Sequence, residues 1–270
     1  MRPERPPDSG SAFPSTVDLR NFWERNPVAA AAIRPRPGTA EFFAAFERLR
    51  QAVEPRAVQE EIYSFDSFAG KAVLEVGCGN GYLLSQYARH GAGTCGIDLT
   101  WTAMDLTRKR FVLDGLAGRF VQADAERLPF HAGSFDLVVA AGVLHHIPRI
   151  EAAIAEIHRL LKPGGTIILM LYHRNSLHYR LLYPLYGLLH PAFRGHRPAE
   201  IARRIDGADN PIGRVYSRRE VRGLLAPFRD VRLRVRSLPI HPLRLLPGGG
   251  LLLDLLARRI GWFLYARAVK

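Results

Sequence analysis

Lysine is scarce in this chain, with four residues against 34 arginines, in a total of 38 basic and 25 acidic residues that leaves a net charge of +13. Such a balance raises nucleic acid and anionic membranes as partners. The arginines are scattered, however, and no recognition module or basic stripe with interleaved aromatics accompanies them, so nucleic acid is not expected. Cysteine is scarcer still: Cys78 and Cys95 stand alone, at a spacing that forms neither a metal site nor a redox pair. No metal is expected, and the chain fits a reducing cytoplasm. Long apolar runs are missing too. The longest, "IILMLY" and "GGGLLLDLLA", fall well short of the ~20 residues that span a bilayer. The opening "MRPERPPDSGSAFPS" lacks the apolar core of a signal peptide and is rich in Pro, Ser and charge, so residues 1–19 are expected to be disordered.

What remains is an ordinary globular composition over 270 residues, enough for one large α/β domain with attachments. "NFWERNP", "TAEFFAAFERLRQAV" and "PRAVQEEIYSFDSF" carry apolar residues at helical spacing, with Thr39 as an N-cap and Pro55 in a first turn. They form a helical cap over 20–66. From Lys71 the rhythm becomes short apolar runs alternating with helices, which signals a parallel sheet with crossovers. Strands are expected at 72–77, 93–98, 118–122, 135–141, 166–172 and 230–237, with "GWFLYARAV" as a seventh. Helices are expected at 81–90, 101–114 and 150–161. The fold class is therefore α/β, a Rossmann-like doubly wound, mostly parallel sheet over 67–270. Two stretches break the alternation: an insertion at 174–213 and the Leu-rich 242–257, which reads as a packing helix.

Chemistry concentrates in "VLEVGCGNG" at 73–81. Three glycines in five positions bring bare backbone close to a ligand or make a tight strand-to-helix turn. A dinucleotide loop needs a third glycine where Tyr82 stands, and a P-loop needs Gly-Lys-Ser/Thr. Neither fits. The next strand, "GTCGIDLT", ends on Asp98, placed to accept both hydroxyls of a ribose. The following strand ends in "ADAERLPF", where Asp124 and the Ala125 amide can read an adenine edge.

In this order and spacing, "VLEVGCGNG", "GIDLT", "ADAERLPF", "SFDLVVAAGVLHHIP" and "RLLKPGGTIILM" resemble the class I S-adenosylmethionine-dependent methyltransferases. Within them the sequence is most similar to the small-molecule enzymes that include quinone-biosynthesis C-methyltransferases. The likeness covers about residues 67–173. It implies S-adenosylmethionine as methyl donor, with Glu75, Gly77, Cys78, Gly79 and Gly81 at its methionine end. Asp98 would take the ribose, Leu99 would pack on the adenine, Asp124 and Ala125 would read its edge, and Ala141 and Gly142 would face the sulfonium. Cys78 reads as a small filler in the loop rather than a nucleophile, and Glu75 reads equally as a brace for the loop. Arg149 departs from the family pattern, which carries an acid after "HHIP" to cap the next helix.

Methyl transfer needs a base only if the acceptor sheds a proton as it attacks. His145 and His146 are the catalytic candidates, against the alternative of pocket wall. Tyr172, His173, Arg174 and Trp23 are candidates for contact with a small-molecule acceptor, partly apolar or aromatic. The 174–213 insertion, with the "FWERNP" preface, reads as a lid; a homodimer surface, or a patch that lies on anionic lipid, stays open. An RNA, membrane-lipid or quinone methyltransferase and a dinucleotide-binding oxidoreductase are the competing functions.

Overall fold

Leu74 and Val76 face one way and Val73 the other, yet all three are buried, as befits a strand covered on both faces. This strand, β1 (Ala72–Val76), lies at the centre of a sheet in a computed structural model that describes residues 14–238 and 249–270. Around it run β2 (Gly93–Asp98), β3 (Arg119–Gln122), β4 (Phe135–Ala141), β5 (Leu161–Tyr172), β6 (Arg229–Arg236) and β7 (Phe263–Val269). The order is β3-β2-β1-β4-β5-β7-β6. All pairs are parallel except those of β7, which runs antiparallel to both β5 and β6. The expected strands are present; β5 starts earlier because Leu161 already pairs with Phe135.

The order reverses between β1 and β4, and open sheets bind ligands at such a point, beyond the carboxyl ends of the strands. The N-terminal helices cover that side of the sheet. α1 (Thr16–Arg25) begins inside the stretch expected to be disordered. Its Ser15–Asp18 capping box satisfies the first amides, and Leu19 and Phe22 are buried, which anchors the turn. Residues 1–13 lie outside the described part. α2 (Ala40–Val53) is capped by Thr39 as read from sequence, and α3 (Arg56–Tyr63) follows Pro55. Their Phe42, Phe43, Phe46 and Tyr63 pack with Val73, Leu137 and Ile168 in one core layer. The cap thus shares the sheet's core.

α4 (Tyr82–Arg89) and α5 (Trp101–Leu113) follow β1 and β2. α6 (Ile150–Leu160) covers the opposite face with Ile154 and Ile157. Its missing acidic cap is replaced from a distance. Glu126 accepts from the Arg149 amide at 2.8 Å and from its guanidinium at 2.7 Å. After β5 the insertion folds as a wide helical turn at His178–Leu182 that leads into α7 (Tyr183–Leu189), then α8 (Pro198–Arg204). α9 (Arg218–Leu224) precedes β6, and α10 (Gly249–Ile260) precedes β7. Of the Leu-rich 242–257, the part in α10 does pack, placing Leu253 and Ala257 against Leu238; 242–248 lie outside the described residues.

Candidate cofactor and acceptor site

Beyond the carboxyl ends of β1 to β4 lies a cleft floored by the glycine loop and roofed by α1. Gly77 and Gly79 have φ of +70° and +57°, a region that side chains resist. A Cβ on Gly77 would sit 2.3 Å from Val143 Cγ2. The Gly77 and Cys78 amides both donate to the Ile97 carbonyl, at 2.8 and 2.9 Å. That bond locks the loop to β2. Asp98 completes the frame: one oxygen accepts from the Gly79 amide at 3.1 Å, the other from the Thr100 amide and hydroxyl at 3.0 and 2.9 Å. Burial pushes its carboxyl above the usual range despite these donors.

Glu75 points into the same cleft and is only 4% exposed. Its Oε2 has no partner among the described residues, and burial pushes the carboxyl up to about 8. A buried, unsatisfied carboxylate oxygen needs a cation or a donor. The ammonium of a methionine moiety supplies one, so these residues fit S-adenosylmethionine, which the resemblance implies. Cys78, Leu99, Asp124, Ala125, Ala141 and Gly142 also line the cleft. Cys78 packs its sulfur against Thr107, and burial raises its thiol well above the ordinary value. It is a filler here, and no nucleophile.

Gly81 is placed elsewhere. It does not line the cleft, and a Cβ on it would meet the Thr107 side chain and backbone at 3.0–3.3 Å. Its role is close approach of the loop to α5.

The histidine pair divides. His146 lines the cleft beside Trp23, with ring centroids 5.1 Å apart. Its Nδ1–H donates to the Ile212 carbonyl at 2.6 Å, and its Nε2 lies 3.5 Å from Asp206 Oδ2. Burial lowers its pKa, opposed by Asp206 and the Ile212 bond, so the neutral ring carries its lone pair on Nε2. His145 is fully buried, away from the cleft, wedged 4.1 Å from the His146 ring and 4.0 Å from Tyr172. Burial, then the neighbouring His146, holds its pKa well below the ordinary value.

Three expected acceptor contacts also lie outside the cleft. Tyr172 stacks on Trp262 and donates its hydroxyl to both Asp206 oxygens, at 2.9 and 3.0 Å. His173 turns its Nδ1 to the Gly261 carbonyl. Arg174 pairs with Glu220 at 2.9 Å and reaches the Val215 carbonyl. All three side chains serve the packing of β5 against the segments that follow it. Nor does any residue of 174–213 line the cleft.

Four contributors escaped the sequence reading because distant segments bring them in. Thr16 donates to Asp124 Oδ2 at 3.3 Å. Glu24 accepts from the first amides of α5, Trp101 at 2.6 Å and Thr102 at 3.1 Å, and from the Thr102 hydroxyl. Burial opposes its charge, but these donors win and hold the carboxyl below the usual range. Arg50, paired with Glu54 at 2.6 Å, lines the cleft near Glu75. Arg110 runs beneath the loop, donating to the Asn80 carbonyl at 2.8 Å with its guanidinium over Phe43. Only a Ser-x-x-Asp box ahead of α1 was there to be noticed.

Known proteins resemble this chain in sequence and in fold. The family described as "Methyltransferase domain" matches residues 74–169. A ubiquinone biosynthesis O-methyltransferase of Nitrosococcus oceani is 34% identical over 153 residues, covering 53% of this chain and 64% of that protein. One from Aromatoleum aromaticum is 32% identical over 171 residues, covering 55% and 72%. Other relatives of that name are covered over 48% of their length, so the chain spans about half to two-thirds of most curated proteins it matches. These names specify oxygen for those proteins, an atom that the sequence resemblance leaves open. Among solved structures, the [4+2]-cyclase SpnF superposes with a TM-score of 0.60 at 18% identity, covering 96% of this chain and 97% of that one; this is a likeness of fold. Together, the ordered motifs and an alignment at 32% identity over 72% of the Aromatoleum aromaticum relative establish that the chain belongs to the class I S-adenosylmethionine-dependent methyltransferases.

Proposed function

We propose that this chain methylates an oxygen of a small, largely apolar acceptor, with His146 taking the proton that the oxygen sheds. The observation that carries this reading is the position of His146. It opens onto the same cleft as the Gly77–Gly79 backbone, Glu75 and Asp98, and the apolar Trp23, Val143, Ile147 and Pro148 line that cleft with it.

S-adenosylmethionine, when bound, supplies an already activated methyl group. The chain's task is then to orient, dehydrate and remove a proton. Glu75 and the Gly77–Gly79 backbone would hold the methionine end, Asp98 the ribose, and Asp124 the adenine. α1 excludes water, because Thr16 and Glu24 fasten its two ends to Asp124 and α5. His146 Nε2 would take the proton that the acceptor oxygen sheds as it gains the methyl group. The Ile212 carbonyl fixes the tautomer that leaves Nε2 free, and Asp206 favours the imidazolium that forms. His145 is packing in this scheme. The O-methyltransferase names of the relatives support oxygen as the target.

The test uses S-adenosylmethionine with a deuterated methyl group and a panel of phenols and catechols bearing apolar tails. Product mass spectrometry should show a single transferred methyl, and His146→Ala should slow its transfer by about 10²–10⁴ while S-adenosylhomocysteine still binds. Transfer that survives His146→Ala undiminished would leave positioning as the whole mechanism.

A further inference from the structure

Between Arg174 and Ala199 the chain has no carboxylate, while Arg174, Arg180, Arg194 and Arg197 and three histidines fall within it. The same stretch exposes leucines in an order that globular helices reverse. Leu181, Leu185, Leu188 and Leu189 follow one another at i, i+4, i+7 and i+8, which is one helical face, and they are 52, 44, 69 and 68% exposed. The opposite side, through Tyr183, is what the protein buries. Tyr186, within the same helix, is exposed, and so are Arg180, Arg194 and Arg197 of the same insertion. A single exposed leucine needs no explanation; a continuous stripe in a segment rich in exposed cations does.

We infer that the helical turn at His178–Leu182 and α7 form a docking face for an anionic lipid bilayer, which the leucines enter while the arginines meet the headgroups. The charge decides the occupant. A second copy of this chain would bring the exposed Arg180, Arg194 and Arg197 against their own copies, whereas anionic lipid complements them, and an apolar face accompanied by exposed cations is the pattern of an interfacial helix. No helix among the described residues is long and apolar enough to cross a membrane, so the contact is peripheral. It also has a use. The same insertion continues into α8 and Asp206, which stands 3.5 Å from His146. A face on the membrane therefore sits one helix away from the acceptor wall, where an apolar acceptor can be drawn from lipid. The docking itself does not depend on the methyl-transfer reading.

The experiment is flotation of the full chain with vesicles of phosphatidylcholine alone and of equal phosphatidylcholine and phosphatidylglycerol. Wild type should float with the anionic vesicles and remain behind with the neutral ones. Leu185→Ser/Leu188→Ser/Leu189→Ser, which changes no charge, should lower the partition at least tenfold. Arg180→Glu/Arg194→Glu should lower it further, since each cation near such a surface is worth about fivefold. A control reversal at the sheet's two edges, Arg119→Glu/Arg229→Glu, should leave most of the binding, which separates a docking face from diffuse attraction by the +13 charge. S-adenosylhomocysteine affinity and melting temperature, unchanged in all variants, certify the fold. Three results would overturn the inference: equal recovery with both vesicle types, equal loss in the edge control, or a wild-type dimer that the leucine variant makes monomeric without any vesicle binding.

Discussion

Glu75 offers the most discriminating perturbation, because its burial ties cofactor binding to pH. The carboxyl is pushed up to about 8 by burial, so the empty protein holds it about 0.9 protonated at pH 7. If the ammonium of the cofactor lands on its unpartnered Oε2, binding requires the ionised form. The cost of reaching that form is ~1.4 kcal/mol at pH 7 and ~2.7 kcal/mol at pH 6, and it vanishes above the raised pKa. Affinity should therefore rise with pH, roughly tenfold from pH 6 to 7 and more shallowly toward 8. Titration calorimetry with S-adenosylhomocysteine at pH 7, in buffers of different ionisation enthalpy, should show release of about 0.9 proton per site. In Glu75→Gln the release should disappear, the pH slope should flatten, and affinity at pH 8 should fall by about 1.5–3 kcal/mol, the scale of a hydrogen bond to a charged group. A wild-type affinity that is flat from pH 6 to 8, or a Glu75→Gln protein that still releases the proton, would refute the assignment and return Glu75 to the role of loop brace.

Asp98→Ala should weaken S-adenosylhomocysteine binding by about 1.5–3 kcal/mol with the fold intact, checked by the same calorimetry and by circular dichroism; a smaller change would mean that Asp98 serves only Gly79 and Thr100. His146→Ala should reduce turnover by about 10²–10⁴ with cofactor affinity nearly intact, while His145→Phe should keep most of the activity. Because burial lowers the His146 pKa, wild-type turnover should stay level as pH falls past ~6.5 and decline only below it, where the folded ring takes up its proton; a limb above 6.5 would contradict this. Glu24→Ala removes the acceptor of the first α5 amides and should loosen α1, raising tryptic cleavage at Arg20 and Arg25 and the dissociation rate of S-adenosylhomocysteine. Cleavage within 174–213 should meanwhile be the same with and without that ligand.

The sheet was legible because its signal is local. Buried parallel strands are short apolar runs between turn residues, and β1 to β4 sit where such runs do. The cofactor half of the site shared that advantage: Gly77, Asp98 and Asp124 each end a strand, so chain order alone placed them together. The acceptor half was less readable because it is assembled from afar. Two adjacent histidines look alike in sequence, and only the Ile212 carbonyl and Asp206, some sixty residues on, separate the one in the cleft from the one in the core. Arg174 read as a substrate clamp because its partner Glu220 is remote. The lid reading joined 174–213, from its position after β5, to the "FWERNP" preface; Trp23 of that preface does line the cleft, with Thr16 and Leu19 of α1, whereas no residue of 174–213 does. What held α1 there, the carboxylate of Glu24 on the end of α5, is a contact across 77 positions.

The measurement closest to the central claim is a calorimetric comparison of S-adenosylhomocysteine with NAD on the purified wild-type chain. The cleft described here, with Tyr82 in place of a third loop glycine and Glu75 unpartnered at its floor, should bind S-adenosylhomocysteine at one site per chain and leave NAD unbound. Saturable binding of NAD without any heat from S-adenosylhomocysteine would contradict the account.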